Sequence, residues 1–160
     1  MQGNLKVIAS LNGIYALLLP TEVQAHQQEH QYEAEGYERV SDWFDVIEDK
    51  GHRKLIHPLM NRINSLNGEC SGKWAFQPDE ARPIEQLDAA VGSMLSRLTA
   101  VHGAYVDACE IAEDAQDYVT TTLIHVHLEW LEKQISKFER RASQIEELGV
   151  DGFLQEMFDK

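Results

Sequence analysis

Histidine and glutamate residues recur on the apolar stripe of each long helix that the sequence predicts. In residues 122–138, His127 lies in a stripe with Leu123, Trp130 and Gln134, whose spacings of three and four place them on one helix face. A polar side chain on an inward face needs a partner, because leaving it unpaired costs roughly 1–3 kcal/mol. The inward stripes of the other three helices carry the same kind of residue, at Glu22, Glu48, His52 and His102.

Carboxylates and imidazoles contributed by all four helices of a bundle are the donors that a dinuclear iron or manganese site requires. The carboxylates bridge and neutralise two cations, while the imidazoles tune them. The pattern therefore predicts a set of metal ligands, although it assigns no catalytic residue. The other interpretation is a layer of core polar residues that satisfy one another. The predicted ligands are Glu22, Glu48, His52, His102 and His127.

Helical periodicity dominates the 160 residues and strand-like alternation is scarce, which predicts one all-α domain over residues 1–160. We predict four long helices, at about 4–35, 38–67, 84–113 and 117–148, and a short fifth helix at 150–158 with an exposed apolar side. Pro20 should bend the first helix or start a second segment. Residues 68–83 can reach about 50 Å at ~3.3 Å per residue, which is enough to cross a bundle, so the second and third helices can run parallel.

The formal net charge is −13, and such a surface repels phosphate backbones, so we expect no nucleic-acid partner. No apolar run reaches the ~20 residues that cross a bilayer, so we expect no membrane partner. Two cysteines form no disulfide framework. These features favour the cytoplasm.

Several segments together resemble the ferritin-like superfamily, nearest to the bacterioferritins, with some likeness to the Dps-type miniferritins. Residues 147–155, ELGVDGFLQ, are similar to the end of the bacterioferritin helix D and its fifth helix. Residues 112–119, AEDAQDYV, are similar to the turn between helices C and D. The resemblance implies a ferritin-like four-helix bundle with a long B–C crossover and a homo-oligomeric assembly. It also implies Glu22 as a ligand, since residues 21–25, TEVQA, match the family's motif on helix A.

Other positions depart from the bacterioferritin pattern. On helix B the nearest match to the family's Glu-x-x-His is Asp49 to His52, and it requires a gap. The glutamate of helix C falls on Leu98, and the Glu-x-x-His of helix D falls on Leu131 and Gln134. The methionine that ligates haem falls near Arg53, so we expect no haem.

By resemblance, the expected function is iron binding with Fe(II) oxidation, a ferroxidase activity, and iron storage in an oligomeric shell. The iron site can be dinuclear, and manganese or zinc in place of iron is not excluded by the sequence. A second hypothesis is a degenerate assembly subunit without a working ferroxidase site. A third is a ferritin-like di-metal oxidase that acts on an organic substrate.

Overall fold

The computed structural model describes residues 3–158, so residues 1–2 and 159–160 of the predicted domain lie outside the described part. Helix α1 spans Leu5–Ala34. The second long helix begins with α2 (Glu38–Asp45), continues through two π-helical segments, and ends with α3 (His57–Ser65). After the crossover come a 3₁₀ turn, α4 (Leu87–Asp114) and α5 (Tyr118–Phe158). The predicted all-α four-helix bundle is therefore confirmed.

The start of α1 and the break within α5 follow from local residue chemistry. Helix α1 begins at Asn4, whose Oδ1 accepts hydrogen bonds from the backbone N–H groups of Lys6 and Val7 at 2.8 and 3.2 Å. It runs without interruption through Pro20, so the second segment that the proline could have started does not form. Helix α5 is broken at Gly149, whose φ of 73° favours glycine, and the predicted fifth helix is the part beyond this break.

The two interhelical turns have the same hydrogen-bond pattern, displaced by 80 residues. In the first turn, Tyr37 N–H donates to the carbonyl of Tyr32 at 2.8 Å; in the second, Asp117 N–H donates to the carbonyl of Ala112 at 2.9 Å. The residue before each donor has a positive φ, 88° at Gly36 and 56° at Gln116. The α1–α2 and α4–α5 hairpins are thus internal structural counterparts, although the sequence shows no visible repeat.

The crossover between α3 and α4 lies along the whole length of α1. Asn12 binds its beginning, with Nδ2 donating to the carbonyl of Glu69 and Oδ1 accepting from Ser71 N–H. Further along, the buried Gln28 donates to the carbonyl of Arg82 at 2.8 Å and accepts from Arg82 N–H at 2.9 Å. The crossover therefore begins near the start of α1 and ends near its end. The second long helix begins with α2 near the end of α1 and finishes with α3 near the start of α1. Since α4 also begins near the end of α1, α2 and α4 run parallel, as predicted.

The part of α5 beyond Gly149 packs on α2 of the same chain. Phe153 is 7% exposed, and its ring centroid lies 5.9 Å from that of Trp43. The guanidinium of Arg39 donates to the carbonyl of Met157. Phe158 contacts Tyr37, although it stays 45% exposed. The expectation of a wholly exposed apolar side on this segment was wrong, because the chain itself covers most of it.

We expect Gln28→Ala to lower the free energy of unfolding by roughly 2–4 kcal/mol, because it removes the partner of two part-buried backbone groups of Arg82, at roughly 1–3 kcal/mol each. Urea denaturation followed by circular dichroism measures the change. Gln27→Ala is the matched control, since Gln27 is exposed on the next position of α1. Equal losses in the two variants would show that the Gln28 contacts do not hold the crossover.

Candidate metal centre

Imidazole and carboxylate side chains meet in pairs on the outer seam between α1 and α2. The Nδ1 atom of His52 lies 3.1 Å from the Glu22 carboxylate. One helical turn closer to the interhelical turn, Nδ1 of His26 lies 3.3 Å from Oε1 of Glu48 and 3.7 Å from Oε2 of Glu29. The ligand atoms of His26, Glu29 and Glu48 all lie within 4.8 Å of one another. We call these five residues the α1–α2 donor cluster.

Glu29 is the carboxylate of this cluster that lacks a full set of hydrogen-bond partners. Oε2 of Glu29 is buried and has no hydrogen-bond partner. Burial raises the pKa of Glu29, and the nearby Asp45 and Glu48 carboxylates raise it further. Burial also raises the pKa of Glu22, against the lowering effect of His52. A bound cation would satisfy the free oxygen and offset the repulsion between the carboxylates.

Two π-helical segments present the second-helix members of the cluster. Val46–Lys50 contains Glu48 and His52–Ile56 begins with His52, with Gly51 between the segments. Such wide turns rotate the following residues away from α-helical register and occur often at functional sites. The residue spacing of α1, by contrast, is ordinary: residues 22, 26 and 29 follow one face of a helix.

Two leucines and a glutamine occupy the bundle interior at the level of the predicted dinuclear site. Leu98 and Leu131, where the resemblance to bacterioferritin would place two carboxylates, are 1% and 0% exposed. Leu98 lines a small cavity together with Leu18, Trp130 and Glu22, so Glu22 lies between the seam and this part of the interior. Gln134, at the position of an imidazole, is 6% exposed. At this level leucines therefore lie where the resemblance led us to expect carboxylates, whereas the ligand atoms of His26, Glu29 and Glu48 lie close together on the seam.

His102 lies on the α4–α5 seam, where its Nε2 is 3.1 Å from Oε2 of Glu132. Residues 102 and 132 are the counterparts, displaced by 80, of Glu22 and His52, with acid and base exchanged. His102 was predicted to face inward, but its side chain is 30% exposed. The partner of His102 is Glu132, which does not belong to the α1–α2 donor cluster. That His102 is a metal ligand stays a prediction.

His127 is buried within the bundle, with Nδ1 2.7 Å from the hydroxyl of Tyr105. Burial lowers the pKa of His127 to about 4 and raises that of Tyr105. The neutral imidazole and the phenol therefore satisfy each other. The structure does not bring His127 to Glu22, Glu48 or His52, and its role as a ligand also stays a prediction.

Two members of the cluster, His26 and Glu29, are absent from the predicted ligand set. A signal was present, because Glu22, His26 and Glu29 are spaced four and three residues apart. Their partners on the second helix could not be read from the sequence, since the contact depends on how α1 and α2 are aligned.

A family model of the ferritin-like domain matches residues 8–148. The chain belongs to the ferritin-like family. Among solved structures, it is similar to a bacterioferritin of Rhodobacter capsulatus, described with a metal-free dinuclear site and a haem iron. The TM-score is 0.83 at 20% identity, over 96% of this chain and 93% of that chain. Comparison with the curated proteins gives no match.

The ferritin-like bundle predicted from sequence is thereby confirmed, including its likeness to bacterioferritin. Arg53, near the expected haem-ligating position, is exposed and binds Asp49 at 2.8 Å. The expectation of no haem stays a prediction. Within residues 3–158, no helix has the length and apolar character needed to cross a membrane.

We predict that the buried His127 makes this ferritin-like protein sensitive to mild acid. The unfolded chain takes up a proton at a pKa near 6.5, whereas folded His127 does so only near 4. Its contribution to stability is therefore present above pH 6.5 and is lost as the pH falls towards 4, about 3 kcal/mol in all. Urea unfolding at several pH values measures the slope.

The control for this prediction is the double variant His127→Leu/Tyr105→Phe, which removes both partners and so leaves no unsatisfied group. Its stability should vary less with pH between 6.5 and 4 than that of the parent protein. If the two proteins show the same slope, the buried imidazole is not the source of the pH dependence.

Proposed function

We propose that this ferritin-like protein binds iron on the α1–α2 seam, through Glu22, Glu48 and His52 together with His26 and Glu29. The observation that carries the proposal is Oε2 of Glu29, which is buried without a hydrogen-bond partner, 3.7 Å from Nδ1 of His26. The ligand atoms of Glu29, His26 and Glu48 lie within 4.8 Å of one another. Three carboxylates and two imidazoles suit first-row divalent metals, which leaves manganese and zinc as competitors.

The proposal extends to Fe(II) oxidation, with iron as substrate. The two pairs, Glu22 with His52 and Glu48 with His26, lie one helical turn apart and offer donors for two ions. Two Fe(II) ions give up one electron each, and with two protons they reduce O₂ to hydrogen peroxide. Each Fe(II) becomes Fe(III). The side chains of His26 and His52 are about half exposed, at 49% and 50%, so both iron and oxidant can reach the seam from solvent.

Iron storage in a cytoplasmic homo-oligomeric shell is the wider setting that family membership suggests. His102 and His127 stay predicted ligands on sequence grounds, and we include their glutamine variants in the binding experiment below. A loss of iron affinity in either one would extend the site beyond the seam.

We expect Glu48→Gln and Glu29→Gln each to weaken Fe(II) binding at least ~10-fold, because each removes a charged oxygen donor while preserving side-chain shape. Anaerobic isothermal titration calorimetry of the full chain measures binding, and stopped-flow absorbance after addition of O₂ measures oxidation.

Asp49→Asn is the matched control, since Asp49 is an exposed carboxylate next to Glu48 and pairs with Arg53 rather than with the cluster. His26→Gln, which removes an imidazole donor, should also weaken Fe(II) binding. Its matched control is His57→Gln, since His57 is an exposed histidine of the second long helix. If the Glu48 and Asp49 variants bind Fe(II) as tightly as the parent chain, the seam is not the iron site.

The apolar interior favours a second candidate, a ferritin-like assembly subunit that does not oxidise iron. Leu18, Leu98 and Leu131 occupy the interior with 5%, 1% and 0% exposure. Under this hypothesis the parent chain assembles but neither binds nor oxidises Fe(II). The titration above therefore separates the two candidates.

Both candidates predict a homo-oligomer, because family membership suggests one. Tyr118, Val119 and Val126 also leave apolar surface 62–68% exposed on α5. Light scattering coupled to size exclusion should give a mass several times that of the 18.2 kDa chain. A monodisperse monomer at micromolar concentration would remove the storage shell from the proposal, while leaving the binding site open to test.

A further inference from the structure

A second group of metal-binding side chains lies on the α4–α5 seam. Cys109 is partly buried on α4, and Glu113 follows it one helical turn later. The Sγ atom of Cys109 lies 3.6 Å from Oε1 of Glu113 and 3.5 Å from Nε2 of His125 on α5. The ligand atoms of the three residues lie within 4.8 Å of one another. No part of the proposed iron site uses them.

The spacing of these atoms matches that of ligands around a tetrahedral zinc ion. Zinc bonds are about 2.3 Å to sulfur, 2.0–2.1 Å to a histidine nitrogen and 2.0–2.2 Å to a carboxylate oxygen. At a tetrahedral angle, these lengths place sulfur about 3.6 Å from the nitrogen and from the oxygen. The contacts of Cys109 are 3.5 and 3.6 Å. A zinc ion would therefore require little change in the distances from Cys109 to Glu113 and from Cys109 to His125.

We propose that Cys109, Glu113 and His125 form a binding site for a thiophilic divalent metal, Zn²⁺ being the best fit. The site has three protein ligands and leaves the fourth position to water. Binding converts the thiol to a thiolate, so that one proton passes to solvent for each metal bound. No oxidation or reduction is involved.

The donor type sets this site apart from the α1–α2 donor cluster. Displaced by 80 residues, the counterpart of Cys109 is Glu29, so corresponding positions of the two hairpins carry sulfur in one and oxygen in the other. A thiolate favours zinc and other soft ions, whereas carboxylate-rich sites accept harder ions such as Mn²⁺. The two seams should therefore bind different metals. The proposal does not depend on the proposed iron site.

The test titrates the reduced full-length chain with Zn²⁺ by calorimetry and with Co²⁺ by absorption spectroscopy. In the parent protein we expect a thiolate-to-cobalt charge-transfer band and competition between Zn²⁺ and Co²⁺. Cys109→Ser should abolish the band and weaken Zn²⁺ binding at least ~10-fold, and His125→Gln should weaken Zn²⁺ binding by a similar factor. His125 is exposed, so its variant should keep the fold even if the cysteine variant does not.

Two variants serve as controls. Cys70→Ser removes the other free thiol, which lies in the crossover, and should leave the charge-transfer band unchanged. Glu48→Gln alters only the α1–α2 donor cluster and should leave it unchanged as well. The proposal is overturned if Cys109→Ser keeps the band, if Cys70→Ser removes it, or if bound Co²⁺ shows no thiolate transition.

Discussion

The structure depends on how α1 holds the crossover. A connection that crosses a whole bundle carries many backbone polar groups, and those that are buried must find partners. Asn12, Gln24 and Gln28 supply them from separate points along α1. At the far end, the Glu35 carboxylate accepts from Ile84 N–H. Gln24 also donates to Ser93 on α4. The same side chains therefore fix both the path of the crossover and the place where α4 begins.

Once α4 begins at that end, the two hairpins become structural counterparts. Their turns have matching hydrogen bonds, and an imidazole–carboxylate pair lies at the same depth on each outer seam, Glu22 with His52 and His102 with Glu132. The members of each pair come from helices on either side of a turn. Each seam thus offers metal donors without requiring any from the other hairpin.

The location of the donors has an energetic reason. Burying carboxylates in the bundle interior without a metal would cost a large desolvation free energy. In this protein, Leu98 and Leu131 fill the interior instead. On the seams, the imidazoles are partly solvated and water can compensate most of the charge. Glu29 is the exception, because one of its oxygens is buried without a hydrogen-bond partner. A bound cation would contribute the most favourable interaction energy at this oxygen.

The sequence alone determined where the helices form, because this depends on local features of the chain. Apolar spacing of three and four marks the helices, Gly149 marks the break in α5, and the 16-residue segment before α4 is long enough to cross the bundle. It also predicted Glu22, Glu48 and His52, three of the five residues that we propose as iron ligands, but not His26 or Glu29. Only the tertiary structure decided their partners. Residues at the margin of a stripe, such as Glu22 and His102, lie about 100° from their sequence neighbours, so periodicity cannot distinguish an interior position from a seam. The contacts of His26 with Glu48, and of His127 with Tyr105, depend on the alignment of neighbouring helices, which turn geometry and packing set.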